Sequence, residues 1–332
     1  MPPMRNFNRN DKESTVPIKP KVTVPQLNYA ERTVIAGDGV RLAVRDYNVG
    51  SGGLHTVVLL HGLCLTQDSW VLQVRLLTHR WGSSVRIISY DHRGHGRSTG
   101  APMHTYRVER LAEDLADVLT ALRVTGPLTL AGHSLGGMTA LAYVSRPHQP
   151  VQPDGLVLVA SAAGRLCERG LGRLLATPAP RVLFDLVNRL PRRSTEQTIR
   201  SAIGPLRAAL TGRPGCERPA QRGLAALAVE STRAVSPATA AGFLLNLRDY
   251  DVYECLSSIT ATTVVVSGGA DMTTPDAHAH DLVAAIPGAL HVRQPAAGHM
   301  LLLDAPHCVA TAINRAMHLQ PGAKRTPATA AC

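Results

Sequence analysis

A serine between glycines is the first feature of this sequence that points to chemistry. The pentapeptide GHSLG (residues 132–136) directly follows the apolar run PLTLA and directly precedes the helical pattern LGGMTALAYV. A sharp strand-to-helix turn forces its middle residue into a strained backbone conformation, and glycines let the neighbouring backbones approach without a Cβ clash. The pattern therefore predicts that the Ser134 hydroxyl projects at a helix N-terminus, where developing negative charge is favoured. The pentapeptide also arises by chance, so its strand–turn–helix context carries the prediction.

The serine needs a base and an acid, and two later loops supply candidates. A serine hydroxyl is a weak nucleophile near neutral pH and requires a base that a carboxylate orients. Asp271 follows the buried-strand pattern TTVVVSGG, and His299 lies between the last short strand and the final helix. In a parallel sheet both loops open at the same edge as Ser134, the carboxyl ends of the strands. Asp276 is the alternative acid, but its place directly after Pro275 indicates a helix start.

Alternating strand and helix patterns are expected to position these residues. Continuous apolar runs are typical of strands that are buried on both faces of a parallel sheet. The pattern predicts an α/β fold, with a mostly parallel sheet covered by helices on both faces. Predicted strands are a hairpin over 33–47 and runs over 55–62, 85–91, 127–132, 155–161, 262–269 and 290–293. Predicted helices cover 69–79, 108–122, 135–145, 275–285 and 304–318.

One stretch, residues 165–256, breaks this alternation and is called the insertion below. It is rich in Leu and Ala, is interrupted by prolines, and carries fourteen arginines against eight acidic residues. Short amphipathic helices inserted between two core strands predict a helical cap over one end of the sheet. Leu174 and Leu245 are the leucines predicted to face a site beneath it. The predicted domain organisation is an N-terminal arm (1–30), a first core part (31–164), the cap (165–256), a second core part (257–320) and a tail (321–332).

Five motifs together resemble a known superfamily. They are VVLLHG (57–62), YDHRGHGRS (90–98), AGHSLGG (131–137), GGADMTTP (268–275) and AAGHM (296–300). The chain resembles the α/β-hydrolase fold superfamily, in its capped esterase, epoxide-hydrolase and haloperoxidase-like branch, over about residues 31–320. This resemblance implies that Ser134 is the nucleophile, Asp271 the acid and His299 the base.

Two backbone N–H groups are expected to bind the oxyanion. One is that of Leu135, directly after the nucleophile; the resemblance to the family's His-Gly-x loop implies that the other is that of Leu63. Four further side chains are predicted to line the substrate site: His61, Cys64, His133 and Met300. Each also has a structural interpretation, because a histidine beside these loops commonly braces them and a methionine is most often core. The motif at 91–98 resembles a turn of the same family, which implies that its role is structural.

Departures from the family's patterns narrow the expected reaction. Epoxide hydrolases and haloalkane dehalogenases of this fold place a carboxylate where this chain has Ser134. The HGGP start of proline iminopeptidases, the HGxGPG-like loop of C–C bond hydrolases and the HGGG loop of bacterial lipases are missing. The resemblance then implies a serine hydrolase that cleaves a carboxylic ester with a hydrophobic acyl group, without metal or cofactor. Alternatives are a thioesterase, an acyltransferase, a perhydrolase or haloperoxidase-like activity, and a ligand sensor without turnover.

Composition bounds the partners of the chain. The 332 residues carry a net charge of +11 and only 4% aromatic residues, so a nucleic-acid stacking platform is not expected. The excess charge indicates a scattered basic surface, with weak attraction to anionic membrane surfaces as the alternative. The expected partner is a small-molecule ester, and the oligomeric state stays open. Three features favour a cytoplasmic location. The first thirty residues lack the apolar h-region of a signal peptide, no apolar run is long enough to span a membrane, and the six cysteines form no C-x-x-C pair.

Overall fold

A computed structural model describes residues 27–48, 55–189 and 235–318 of the chain. The strands are Tyr29–Ile35 (β1), Arg41–Tyr47 (β2), His55–Leu60 (β3), Val85–Tyr90 (β4), Leu128–His133 (β5), Gly155–Val159 (β6), Thr262–Gly268 (β7) and Leu290–Gln294 (β8). They form one sheet in the order β1-β2-β4-β3-β5-β6-β7-β8. β2 pairs antiparallel with β1 and with β4, and the neighbours from β4 to β8 are parallel. The predicted tail, most of the predicted arm and the middle of the insertion lie outside the described residues.

Helices cover both faces of the sheet, as the alternating pattern predicted. They are Val71–Trp81 (α1), Val108–Ala121 (α2), Leu135–Val144 (α3), Ala179–Arg189 (α4), Pro237–Asn246 (α5), Asp276–Ala285 (α6), Leu301–Asp304 (α7) and Pro306–His318 (α8). One apolar core lies under α2, α3 and α6, and the other lies under α1 and α8. The central strands β5, β6 and β7 are buried along their whole length, which explains their uninterrupted apolar sequences. Among the described helices none is both long and apolar enough to cross a membrane.

The final helical segment differs from its predicted form. A single helix was expected over 304–318, whereas a short helix, α7, begins at Leu301 and a second, α8, begins at Pro306. Ala305 between them has φ −141° and ψ 55°, which is not helical. The proline explains the break, because its ring disfavours the helical conformation of the residue before it and it has no N–H to donate.

An arginine ties the β1–β2 hairpin to the core. Arg93 is fully buried and donates to both carboxylate oxygens of Asp114 on α2, at 2.7 and 2.6 Å. It also donates to Asp38, at 2.8 and 3.2 Å, in the predicted hairpin turn. Gly39 of that turn adopts a φ of +87°, a left-handed conformation that glycine adopts without a Cβ clash. Arg93 therefore links the loop after β4, helix α2 and the hairpin.

The described ends of the insertion lie against loops at the carboxyl edge of the sheet. These ends contain the 3₁₀ segments Leu166–Glu168, Gly170–Ala176 and Tyr253–Ser258 besides α4 and α5. The Phe243 ring of α5 lies 5.7 Å from that of His95 in the loop after β4. At the other end, a Cβ on Gly170 would lie 2.3 Å from the Met272 carbonyl oxygen in the loop after β7. Both contacts place the described ends of the insertion beside these loops, and the cap stays a prediction.

The two leucines predicted to face inward differ from each other. Leu174 is 55% exposed, so the prediction that it faces inward is wrong. The 3₁₀ segment that carries it buries the neighbouring Leu175 instead. Leu245 is half-buried on α5 and belongs to neither apolar core, so it stays a candidate for the substrate site.

Candidate active site

The turn between β5 and α3 holds Ser134 in a strained conformation. Its φ of 51° and ψ of −116° are unusual for a residue with a side chain. The Ser134 N–H donates to the Val159 carbonyl at 2.9 Å, and the Ser161 hydroxyl donates to the Ser134 carbonyl at 2.9 Å. A Cβ on Gly136 would lie 2.1 Å from the Leu60 carbonyl oxygen, so only glycine lets α3 approach β3 this closely. These contacts hold the serine at the carboxyl end of β5.

The structure brings Ser134, His299 and Asp271 into one hydrogen-bonded chain. His299 Nε2 lies 3.1 Å from Ser134 Oγ, and His299 Nδ1 lies 2.8 Å from Asp271 Oδ2. Because a carboxylate oxygen accepts, Nδ1 carries the proton and Nε2 presents its lone pair to the serine hydroxyl. This geometry is suited to removing a proton from Ser134.

Asp271 is oriented by the residues that follow it. The N–H groups of Thr273 and Thr274 donate to its Oδ1 at 2.7 and 3.0 Å, and the Thr274 hydroxyl donates to Oδ2 at 2.8 Å. Burial raises the pKa of Asp271, but bonds from His299 and Thr274 outweigh it, so this pKa lies below its ordinary value. The sequence analysis missed both threonines. An aspartate whose side chain binds the backbone two and three residues on was the available signal.

Asp276, the alternative acid, lies in a different cluster. It begins α6, as its place after Pro275 predicted. Its carboxylate accepts from the Ser267 hydroxyl at 2.5 Å and from Arg293 Nε at 2.6 Å. These partners on β7 and β8 account for its position, and Asp271 remains the carboxylate that contacts His299.

The oxyanion loop, residues 61–65, lies directly against the serine. A Cβ on Gly62 would lie 3.3 Å from Ser134 Cβ and 2.8 Å from His133 Nδ1. Leu135 is the first residue of α3, so its N–H has no acceptor one turn earlier in the helix. Leu63 follows Gly62 directly, so both predicted oxyanion donors belong to backbone that adjoins Ser134.

Two of the predicted substrate contacts are buried. His61 is 0% exposed; its Nδ1–H donates to the Gly62 carbonyl at 2.8 Å, and its Nε2 accepts from the His92 N–H at 2.9 Å. His133 is 1% exposed and its Nε2–H donates to the His299 carbonyl at 2.8 Å. Burial lowers the pKa of His61 to about 4 and that of His133 to about 3. Neither ring has surface for a ligand, so the expected substrate contacts do not fit, whereas the bracing interpretation does.

Cys64 and Met300 keep their predicted place beside the site. Both residues are half-buried, and Cys64 adopts a φ of 61°. Burial raises the pKa of the Cys64 thiol to about 11, so it is protonated and a poor nucleophile near neutral pH. Their contact with a substrate stays a prediction. In the part of the chain that the structure describes, no group of three or more His, Cys, Asp or Glu side chains could hold a metal ion.

Comparison with known proteins identifies the family. A model of the alpha/beta hydrolase fold matches residues 55–306, more than half of the 332 residues. The chain belongs to the α/β-hydrolase fold family. The resemblance that the five motifs indicated is thereby confirmed, and so is the fold that it implied.

Relatives of this α/β-hydrolase carry several activities in their names. A non-heme chloroperoxidase of Streptomyces lividans is 36% identical over 134 residues, which are 39% of this chain and 44% of the relative. A bifunctional esterase/perhydrolase of Acinetobacter calcoaceticus is 33% identical over 125 residues, 37% of this chain and 43% of the relative. The esterase EaEST from Exiguobacterium antarcticum, a solved structure, is 25% identical with a TM-score of 0.67, covering 85% of this chain and 97% of that one. In eight of the curated relatives the matched segments span 20–45% of the relative's own length.

Proposed function

We propose that this α/β-hydrolase is a serine esterase that cleaves a small-molecule carboxylic ester through an acyl-enzyme. The observation that carries the proposal is the hydrogen-bonded chain from Ser134 Oγ through His299 to Asp271, at 3.1 and 2.8 Å. A hydroxyl, a base with its lone pair aimed at that hydroxyl, and a carboxylate behind the base are the parts that acyl transfer to serine requires. The esterases among the relatives support the same reaction class.

The geometry suits a two-step reaction. His299 Nε2 takes the proton of Ser134 Oγ as the oxygen attacks the acyl carbonyl carbon. The oxyanion that forms is bound by the N–H groups of Leu63 and Leu135, and a single such donor is worth about 3–4 kcal/mol in related chemistry. As the ester bond breaks, His299 returns the proton to the leaving alkoxide. Water, deprotonated by His299, then attacks the acyl-enzyme, and Ser134 Oγ leaves with the proton.

Asp271 stabilises the protonated, positively charged form of His299. It holds the tautomer in which Nδ1 of His299 carries the proton, and it faces the imidazolium that forms when Nε2 is protonated. The lowered pKa of Asp271 keeps this carboxylate negative across the pH range in which an esterase of this kind works.

The acyl group is proposed to be hydrophobic. The insertion is leucine-rich, and half-buried Leu63 and Leu245 lie on the two elements that would flank an acyl chain. Apolar walls with a few polar groups are typical of small-molecule sites.

A second activity, perhydrolysis, is favoured by the named relatives. The chloroperoxidase and the esterase/perhydrolase have segments 36% and 33% identical to this chain. In such a reaction hydrogen peroxide replaces water as the acceptor of the acyl group, so the product is a peroxyacid. A thioester substrate or an alcohol acceptor would use the same acyl-enzyme.

Labelling of the nucleophile tests the proposal. A fluorophosphonate, which forms a covalent adduct with activated serines, is expected to modify Ser134. Replacing the hydroxyl, Ser134→Ala, is expected to abolish labelling and to lower p-nitrophenyl ester hydrolysis by several orders of magnitude. The exposed Ser258 provides the control, because Ser258→Ala should leave both unchanged.

Two outcomes would contradict the proposal. Near-normal ester hydrolysis in folded Ser134→Ala would show that this serine is not the nucleophile. Labelling without any turnover of esters or thioesters would favour a ligand sensor. Perhydrolysis is measured separately, with hydrogen peroxide added to the ester. The ratio of the rate of peroxyacid formation to the rate of hydrolysis then gives the preference of the acyl-enzyme for peroxide over water.

A further inference from the structure

Three histidines hold three consecutive peptide units of the oxyanion loop. His92 Nε2 lies 3.1 Å from the His61 carbonyl oxygen, and His61 Nδ1 lies 2.8 Å from the Gly62 carbonyl oxygen. The next peptide unit is bound from its other end, where the Cys64 N–H donates to His95 Nε2 at 3.2 Å. The middle unit joins Gly62 to Leu63, and its N–H is one of the two proposed oxyanion donors.

The partners of each ring determine its tautomer. A carbonyl oxygen only accepts, so Nδ1 of His61 carries a proton, and its Nε2 is free to accept from the His92 N–H. His95 follows the same logic: Nδ1 donates to the Arg93 carbonyl at 3.0 Å, which leaves the Nε2 lone pair for the Cys64 N–H. Both rings are 0% exposed, and burial lowers the pKa of His95 to about 3, so this tautomer persists at neutral pH.

Peptide planarity turns these bonds into control of an N–H direction. In a trans peptide the C=O and N–H groups point in opposite directions in one plane. The bond from His61 to the Gly62 carbonyl therefore aims the Leu63 N–H away from His61. The Gly62–Leu63 peptide plane can still rotate about the bonds at Leu63 unless the next peptide unit, which joins Leu63 to Cys64, is also held. His95 holds that unit through the Cys64 N–H, with Cys64 itself in a left-handed conformation, φ 61°.

We infer that His95 is a positioning residue of the oxyanion hole, which fixes the direction of the Leu63 N–H by accepting the N–H of Cys64. The inference rests on the proposed function, because it concerns the donor that this function requires. His95 touches no reacting atom in this scheme. Its Nε2 supplies the second fixed point of the Leu63 backbone, and the buried imidazole lies beside the buried Phe243 ring, 5.7 Å between centroids.

A matched pair of variants separates positioning from simple packing. The side-chain oxygen of Gln reaches the place of the imidazole Nε2, so His95→Gln retains an acceptor for the Cys64 N–H. The shorter side chain of His95→Asn can replace only the Nδ1 bond to the Arg93 carbonyl. His95→Met, apolar and of similar length, is a second variant without an acceptor at Nε2.

The readout is the ratio of kcat/KM for an ester to that for the matching thionoester. Sulfur accepts hydrogen bonds weakly, so this ratio reports on the oxyanion donors, and it does not depend on how much of a preparation is folded. His95→Asn and His95→Met are expected to lower the ratio several-fold and to lower kcat for the ester about tenfold, with KM within about twofold. For His95→Gln, the ratio and kcat for the ester are both expected to stay within about threefold of the parent protein.

The results distinguish this inference from the proposed function. The inference would be overturned if His95→Asn and His95→Met both kept the parent protein's ester-to-thionoester ratio and kcat. Ser134 labelling would stay intact in that case, so the proposed function would not be affected. Equal losses in His95→Gln and the other two variants would also overturn the inference, because the acceptor would then be irrelevant. Failure of the proposed function would instead appear in the parent protein as ester turnover that survives Ser134→Ala.

Discussion

Two neighbouring carboxylates, Asp271 and Asp276, have different roles because of their partners. Asp271 faces His299 Nδ1 at 2.8 Å and accepts three bonds from Thr273 and Thr274. Asp276 instead accepts hydrogen bonds from Ser267 on β7 and Arg293 on β8. Bonds to the charged form lower the pKa of both carboxyl groups, against burial that raises it. Only the first carboxylate can stabilise an imidazolium at His299.

Removing the charge of Asp271 is therefore expected to disable the base. In Asp271→Asn the amide can face Nδ1 with its N–H₂ group, which stabilises the tautomer that has its proton on the wrong nitrogen. We expect kcat for ester hydrolysis to fall on the order of 10⁴-fold, by analogy with serine proteases. The control is Asp276→Asn, which should retain kcat within about threefold. Stopped-flow or steady-state ester hydrolysis on folded protein measures both, and equal losses in the two variants would contradict the assignment.

Among the elements, the insertion and the core are expected to have different roles. Ser134, Asp271 and His299 all lie on core loops at the carboxyl edge of the sheet, whereas α5 presents Leu245 without burying it in either apolar core. Residues outside the elements that carry the reacting groups can change the substrate without disturbing those groups. We therefore expect substrate choice to depend on the insertion.

A series of p-nitrophenyl esters tests this division. Each buried methylene of the acyl chain contributes roughly 0.8 kcal/mol, so kcat/KM should rise several-fold per carbon until the site is full. Leu245→Asn is expected to flatten this rise and to leave acetate-ester turnover within about twofold. Leu174→Asn is the control, because that side chain is already 55% exposed. Parallel loss of acetate and longer-chain activity in folded Leu245→Asn would show that α5 does not line the acyl site.

For the whole molecule, buried histidines make stability depend on pH. Burial lowers the pKa of His61 to about 4, and those of His95 and His133 to about 3, from an ordinary value near 6.5. Between these values the unfolded chain binds protons that the folded protein does not, so unfolding is favoured as pH falls. Their stabilising effect is complete above about pH 6.5 and is lost progressively toward pH 3–4.

Urea unfolding between pH 7 and pH 4.5 measures this dependence. We expect the free energy of unfolding to fall over this range, with each such histidine contributing up to about 1.4 kcal/mol per pH unit. His95→Gln should reduce the slope because one of these protons is no longer taken up. His104→Gln removes an exposed histidine and should leave the slope unchanged. A free energy of unfolding that is constant over the range would contradict the prediction.

Much of the sheet was predictable from local pattern. The strands β3 to β8 lie within one or two residues of their predicted bounds, and the apolar runs of β3 to β7 are typical of strands covered on both faces. The position of Ser134 was predictable from the local turn, in which a Cβ on Gly132 would lie 2.3 Å from the Gly136 carbonyl oxygen. Chain order and parallel pairing then placed the Asp271 and His299 loops at the same edge.

Contacts between distant segments were decided only by the tertiary structure. His299 and Ser134 are 165 residues apart in the sequence, and Cys64 and His95 are 31 apart. The family resemblance implied that the 91–98 segment is a structural turn, but not that its imidazoles bind the oxyanion loop. The sequence also led to the wrong prediction that Leu174 faces inward, whereas the structure buries the neighbouring Leu175. The physical reason is that a side chain's direction and hydrogen-bond partners depend on the packed surroundings, whereas strand and turn formation depend mainly on neighbouring residues.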